Sequence, residues 1–380
     1  MGIELAIVGV AGLFVGLVVD RAVRRLPLEK SMLWPVGEYC ERCLQPKPWY
    51  ASIPLVGLLL IGGRCPSCGV RLSYRGVLLQ VLTAAGFMGL YYLHIGLGGR
   101  ELPSISRLYW NYGPTRLFAL FVFHCLLYAF LLAATFTDLD YTLIPLSITT
   151  WGTIVALALG TFWYIEVYPV PLGLVGGSRL TYMAVHPGQW FDEVYWKEWF
   201  GGRTRTLSPT LEWFRSTFYL HWALNWTKYL GFATGVVGLV VGRVVIGVVR
   251  WVCTKAFGKE AMGIGDVDLL GMIGAFLGWQ SAVIAFLLTW ISGILIGLPA
   301  TLVRRGQAMP LGPHIAIGAM ATVVFWRPLW RALEAYLVDA QIFFVITIGM
   351  VVLLAATAYA VQMVKRLAVR TVEAAGKPAT

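Results

Sequence analysis

The sequence predicts an all-α polytopic membrane protein with about eight or nine transmembrane helices and a small cytoplasmic tetracysteine loop of the zinc type. Three observations carry this. The 380 residues are 58% hydrophobic and only 13% charged, a balance outside the range of soluble domains. Apolar runs of about 18–24 residues recur along the chain, each long enough to cross a bilayer as a helix. Two Cys-x-x-Cys pairs stand together in one polar stretch between the first two runs. The net charge is 30 − 19 = +11. In a soluble chain that would point to nucleic acid. Here many of the basic residues flank the apolar runs, so they read as topology determinants and contacts to membrane lipid headgroups, and nucleic acid is not an expected partner.

The first transmembrane helix falls within residues 1–20, without a basic region ahead of it and with Arg21, Arg24, Arg25 and Lys30 behind it. That is the pattern of a signal anchor, and it puts the next segment in the cytoplasm. Residues 21–76 form that cytoplasmic loop and hold four of the six cysteines. Residues 77–165 supply spans near 77–96, 116–136 and 144–165, the second ending at Thr137-Asp-Leu-Asp-Tyr141 and the third following Pro145, which suits a helix start. Residues 166–228 break the pattern. They are more polar and carry Trp190, Trp196, Trp199, Trp213, Trp222 and Trp226, so this non-cytoplasmic insert is expected to lie at the membrane–water boundary. Residues 229–364 return to apolar runs near 230–251, from Val267, 282–302, 315–328 and 341–363, and 365–380 form a cytoplasmic tail. The run from Val267 reaches only to Trp279, so it is short or sits partly inside the protein.

The chemistry concentrates at two places. An acid, Asp266, follows Gly263 and Gly265 where an apolar segment begins, and a carboxylate at the mouth of a span is costly enough to be a functional candidate. The two glycines let the backbone leave regular helix and approach another chain closely. By the span count Asp138 ends an inward-going helix and Asp266 begins an outward-going one, so both belong to the cytoplasmic edge. Two carboxylates in contact share a proton and can act together as general acid and base. Asp140 and Asp268 compete for these roles, but residues two apart lie on different helix faces, so one of each pair faces a shared site. The second place is Cys40-Glu-Arg-Cys43 with Cys65-Pro-Ser-Cys68, spaced for a closed tetrahedral zinc site. Paired disulfides or free thiols are the other use. Cys125 and Cys253 read as packing residues, His124 as a core histidine, and His314 as a possible lining residue of the acidic site. His94, His186 and His221 show no ligand-like spacing. Gly271, Gly274 and Gly278 read as close helix packing.

The motifs Thr137-Asp-Leu-Asp-Tyr-Thr-Leu-Ile-Pro145 and Met262-Gly-Ile-Gly-Asp-Val-Asp-Leu-Leu270, in this order, resemble the two catalytic motifs of type IV prepilin peptidases, GxGD-type intramembrane aspartic proteases. Met309-Pro-Leu-Gly-Pro313 is similar to that family's later turn, and Gly16-Leu-Val-Val-Asp-Arg-Ala-Val-Arg-Arg-Leu-Pro27 to its first span and basic exit. The resemblance implies Asp138 and Asp266 as the catalytic pair, Gly263 and Gly265 making room for substrate, and a prepilin- or pseudopilin-type precursor cut at the cytoplasmic face of the bacterial inner membrane. Leu146 stands where the family often has an acid, and Asp268 where it often has lysine. Bifunctional members carry a tetracysteine loop and methylate the new N-terminus with S-adenosylmethionine. In Arg71-Leu-Ser-Tyr-Arg-Gly-Val-Leu-Leu-Gln80, Gly76 and Gln80 replace the family's proline and glutamate. If that acid orients the substrate amine, the amide of Gln80 weakens methylation. The competing readings are a signal-peptide or presenilin-like protease, which the tetracysteine loop and the TDLDYTLIP form argue against, and an ion-coupled transporter or zinc-binding membrane scaffold.

Overall fold

A computed structural model describes residues 2–32, most of 63–97, 114–162, 209–258, 262–297 and 310–338, with scattered positions between, Cys40 and Cys43 among them. The expected final run near 341–363 and the expected tail lie almost wholly outside the described residues, as do Trp190, Trp196 and Trp199. Among the described residues the named elements are all helices, and an isolated bridge joins Arg64 and Arg71.

Helix α1 (Gly2–Arg25) carries Glu4 in its first turn, is apolar from there to Asp20, and closes on Arg24 and Arg25, whose charge suits the negative end of the helix dipole. A short 3₁₀ turn at Leu26–Leu28 ends it, with Glu29 in the left-handed region at φ 55°. Helix α2 (Arg75–Tyr91) widens into a π turn over Tyr92–Gly96. Helix α3 (Pro114–Tyr141) begins on proline, where the missing N–H costs nothing, and carries Asp138 in its last turn. The chain then reverses sharply. Thr142 takes φ 51°, a costly conformation for a β-branched residue, while its N–H donates to the Asp138 carbonyl at 2.9 Å. Helix α4 (Leu146–Phe162) follows Pro145.

Helix α5 (Pro209–Phe257) runs for 49 residues. At 1.5 Å per residue that is about 70 Å, more than twice the hydrocarbon thickness of a bilayer. The expected span near 230–251 is therefore the second part of a longer helix that starts inside the tryptophan-rich segment. Helix α6 (Ile264–Leu277) has 14 residues, about 21 Å, and every residue from Leu269 to Leu277 is buried. It is the short inward-lying element the sequence pointed to. Gly278 separates it from α7 (Trp279–Ser292) with φ 81° and ψ 169°, backbone that only glycine adopts readily. A π turn at Gly293–Gly297 extends α7, then come α8 (Gly312–Val324) and α9 (Trp326–Val338).

Five of these helical stretches are long and apolar enough to cross a membrane: Gly2–Leu28, Arg75–Gly96, Leu117–Tyr141, Gly231–Lys255 and Trp279–Gly297. Helices α4 and α8 are shorter and apolar. The protein is a multi-pass membrane protein. Its helices pair where glycine removes the side chain between them. A Cβ on Gly12 or Gly16 of α1 would stand 2.6 or 2.5 Å from the Ala84 or Gln80 Cα of α2. A Cβ on Gly238 of α5 would meet the Gly274 carbonyl oxygen of α6 at 1.9 Å, the packing role expected of Gly274. Helices α7 and α8 run antiparallel, Ser292 beside His314 and Ala285 beside Gly318.

Two histidines that sequence spacing left unrelated meet in this core. His94 Nδ1 lies 2.8 Å from the Leu90 carbonyl oxygen, and its Nε2 lies 2.7 Å from Nδ1 of His124. The carbonyl requires a proton on His94 Nδ1, so His94 Nε2 accepts from His124. The hydrogen-bonded core role expected for His124 is what the fold shows.

Candidate active site

The ends of α3, α6 and α8 meet at one edge of the bundle. Asp138 is 6% exposed and Asp266, in the first turn of α6, is 9% exposed. The two carboxylates are close enough for their charges to interact. The backbone N–H of Gly312, at the start of α8, donates to Asp138 Oδ2 at 2.8 Å. This contact joins residues 174 apart in sequence. The reversal after Thr142 brings Ile144 back against the glycines: a Cβ on Gly265 would stand 2.9 Å from the Ile144 carbonyl oxygen. Gly263 caps α6 in extended conformation, and a Cβ there would lie 3.6 Å from Asp266 Oδ2.

The neighbouring acids have other partners. Asp140 forms an ion pair with Arg75 of α2, and Asp268 pairs with Arg243 of α5 at 2.7 Å. Arg75 also donates to the Phe136 carbonyl at 3.1 Å, and its guanidinium lies 5.4 Å from the Phe136 ring centre. Asp140 and Asp268 therefore pair with arginines of other helices, while Asp138 and Asp266 lie buried within reach of each other's charge. A close carboxylate pair held away from water can keep one proton between its members, the arrangement that supplies an acid and a base together. His314 is buried two residues beyond Gly312 and hydrogen-bonded to Ser292 at 3.2 Å. Gly312 is the residue that sequence reasoning did not single out. Its only signal was the Pro-Leu-Gly-Pro turn, read for its resemblance and not for an N–H to offer.

The four loop cysteines converge as a second centre. Their sulfurs all lie within 4.8 Å of one another, Cys40 to Cys68 at 3.7 Å and Cys43 to Cys65 at 3.8 Å. A tetrahedral ion with Zn–S bonds of about 2.3 Å requires sulfurs about 3.8 Å apart, whereas a disulfide would need about 2 Å. This group can bind a metal. Backbone N–H groups of Cys43 and Arg42 hold the Cys40 thiolate and pull it down to about 6. Those of Cys68 and Ser67 lower Cys65 in the same way. At Cys68 the Val70 N–H also favours the thiolate, yet burial and the three facing thiols push it up to about 11. Ionising all four at this spacing would require a cation among them.

Comparison with known proteins gives a consistent result. Residues 10–94 match the bacterial peptidase A24 N-terminal domain, and residues 203–298 match the type IV leader peptidase family. The first match holds the four cysteines and the second holds Asp266, while Asp138 lies between them. The chain is similar to the prepilin leader peptidase/N-methyltransferase of Myxococcus xanthus, 25% identical over 334 residues, covering 85% of this chain and 74% of that protein. It is 26% identical over 298 residues to that of Aeromonas salmonicida, covering 77% and 72%. To that of Pseudomonas putida it is 25% identical over 347 residues, covering 85% and 91%. No solved structure matches the chain.

Proposed function

We infer from its place in the type IV leader peptidase family, to which this chain belongs, that it cleaves the leader from prepilin-type precursors and N-methylates the new terminus. The catalytic pair of this reading is Asp138 and Asp266. One observation carries it: two carboxylates lie buried within reach of each other's charge at one edge of the bundle, while the acids two residues beyond each are paired with arginines. The ionised member takes a proton from water as it attacks the scissile carbonyl. The protonated member donates to the carbonyl oxygen, and the proton taken from water then passes to the leaving amine. The Gly312 N–H fixes Asp138 in orientation, so the pair is built before substrate arrives. Gly263 and Gly265 leave room for an extended substrate backbone.

The precursor keeps a short basic leader in the cytoplasm and its apolar helix in the membrane, so the site belongs to the cytoplasmic face of the bacterial inner membrane. The Arg24–Arg25 end of α1 supports that orientation. Zinc is the proposed metal of the four thiolates, in a closed structural role, since four protein ligands leave no open position. S-adenosylmethionine is the proposed methyl donor, and no described cluster of residues is assigned to hold it.

The test is cleavage of a prepilin by purified protein in lipid. Asp138→Asn and Asp266→Asn should each lower the rate by at least about a hundredfold, the scale of lost acid–base catalysis. Asp140→Asn and Asp268→Asn, which break partly exposed ion pairs, should stay within a few fold. Cleavage at the normal rate by either of the first two would overturn the assignment.

A further inference from the structure

Asp138 takes its orienting N–H from Gly312, on another helix. Asp266 is served from its own segment. It is the third residue of α6, and Gly263 is the residue that caps that helix. A carboxylate at this position reaches back toward the N–H of the capping residue. The Gly263 N–H lies near enough to the Asp266 carboxylate to interact with it, and a Cβ on Gly263 would stand 3.6 Å from Oδ2.

The segment itself is poorly suited to keep that N–H still. Glycine leaves the backbone with more conformational freedom than any other residue, and two of the three residues before Asp266 are glycines. Gly263 is extended, with φ −68° and ψ 156°, so no helical turn holds the peptide that joins it to Met262. That peptide is fixed from outside. Arg250, half-buried near the end of α5, donates from Nε to the Met262 carbonyl oxygen at 2.9 Å.

The Met262 carbonyl and the Gly263 N–H belong to one planar group and point to opposite sides of it. The guanidinium holds one side, and the other lies by the Asp266 carboxylate. A cation on the carbonyl also polarises the group and strengthens its N–H as a donor. Turning the peptide would take the N–H away from Asp266, and it would break the arginine's hydrogen bond at the same time. Arg243, two turns earlier on α5, makes a different contact: it pairs with the Asp268 side chain and lays its stem on Gly271.

We propose that Arg250 is a positioning residue of the peptidase site, orienting Asp266 through the Met262–Gly263 peptide. This assignment rests on the peptidase reading above. It gives each acid a backbone N–H set by a helix other than its own, α8 for Asp138 and α5 for Asp266. Because Arg250 acts on the acid and not on substrate, its loss is felt in turnover and not in KM.

The experiment measures prepilin cleavage by full-length protein in lipid across pH. Arg250→Met keeps the apolar stem and removes the donor. Its kcat should fall about tenfold, the scale of one hydrogen bond, with KM unchanged. The acid limb of its kcat profile should move to higher pH, because the carboxylate loses a donor that favours its charged form. A mere loss of folded protein would lower the amplitude at every pH and leave the limb in place. Arg250→Lys, which returns a cationic donor, should recover most of the turnover, and Arg243→Ala on the same helix should stay within a few fold of wild type. The proposal is overturned by an Arg250→Met enzyme that turns over normally, by an unmoved acid limb, or by Arg250→Lys no better than Arg250→Met. Asp266→Asn measured alongside separates the two readings. If it cleaves normally the peptidase pair itself has failed, whereas an inactive Asp266→Asn beside a normal Arg250→Met defeats only the role of Arg250.

Discussion

Gly312→Ala probes the acidic site through a residue that carries no chemistry of its own. A Cβ there would lie 2.8 Å from Asp138 Oδ2, 3.1 Å from its Cβ and 3.2 Å from its Cγ. Three atoms of one side chain are met at once, so the carboxylate has to move as a body and not merely rotate. Moving it breaks the 2.8 Å hydrogen bond from the Gly312 N–H. A hydrogen bond to a charged group contributes about 1.5–3 kcal/mol. At about 1.4 kcal/mol per tenfold, the turnover number should fall about 10- to 150-fold. KM should change little, because the lost contact is to the acid and not to substrate. The control is Gly89→Ala in α2, where an added Cβ meets nothing within 4 Å and alanine favours the helix. The assay is prepilin cleavage in lipid at saturating substrate, with thermal unfolding of both variants measured beside it. If Gly312→Ala turns over like wild type, the Gly312 N–H does not position the catalytic acid, and the reasoning from α8 to Asp138 fails.

Metal loading of the stripped tetracysteine loop should weaken as pH falls, because metal competes with protons for each thiolate and even Cys40, held down to about 6, is protonated toward acid. The sign follows from a folded-state value below the ordinary thiol range: the thiolate contributes fully above that range and is lost toward acid. Metal content of protein reloaded across this range reads the effect, and a flat profile would refute four-thiolate binding. Gly238→Val should loosen the α5–α6 contact, because its Cβ would fall 1.9 Å from a backbone oxygen that cannot rotate away. A loss of about 1–3 kcal/mol or more is expected, read as lowered thermal stability in detergent. Unchanged unfolding would mean the two helices are not packed through that glycine.

Most of the architecture was legible in the chain because its signals are local. Apolar runs with flanking arginines mark spans, and Pro145 marks where α4 starts, whereas Gly278, expected to pack, instead ends α6 with nothing within 4 Å of its added Cβ. The cysteine cluster was legible for the same reason, since each Cys-x-x-Cys fixes its own two ligands and the fold need only bring two hairpins together. The short α6 was foreseen from an apolar run that reaches only from Val267 to Trp279. What sequence could not give was the choice between acids two residues apart. That choice depends on Arg75 and Arg243, which come from other helices and reach Asp140 and Asp268 only after packing. The His94–His124 contact and the Gly312 hydrogen bond escaped for the same reason, each joining distant helices.

By itself, then, the sequence determined the number of chemical centres, the residue types in each and the order in which they lie along the helices. Periodicity and short motifs are properties of neighbours in the chain, and hydrophobic partition acts on each run separately. The tertiary structure decided which carboxylates lose their water and which keep an arginine. It also decided that Arg250 of α5 reaches the Met262 carbonyl. Burial and charge pairing are properties of neighbours in space, and here those neighbours are set by glycines that let whole helices touch.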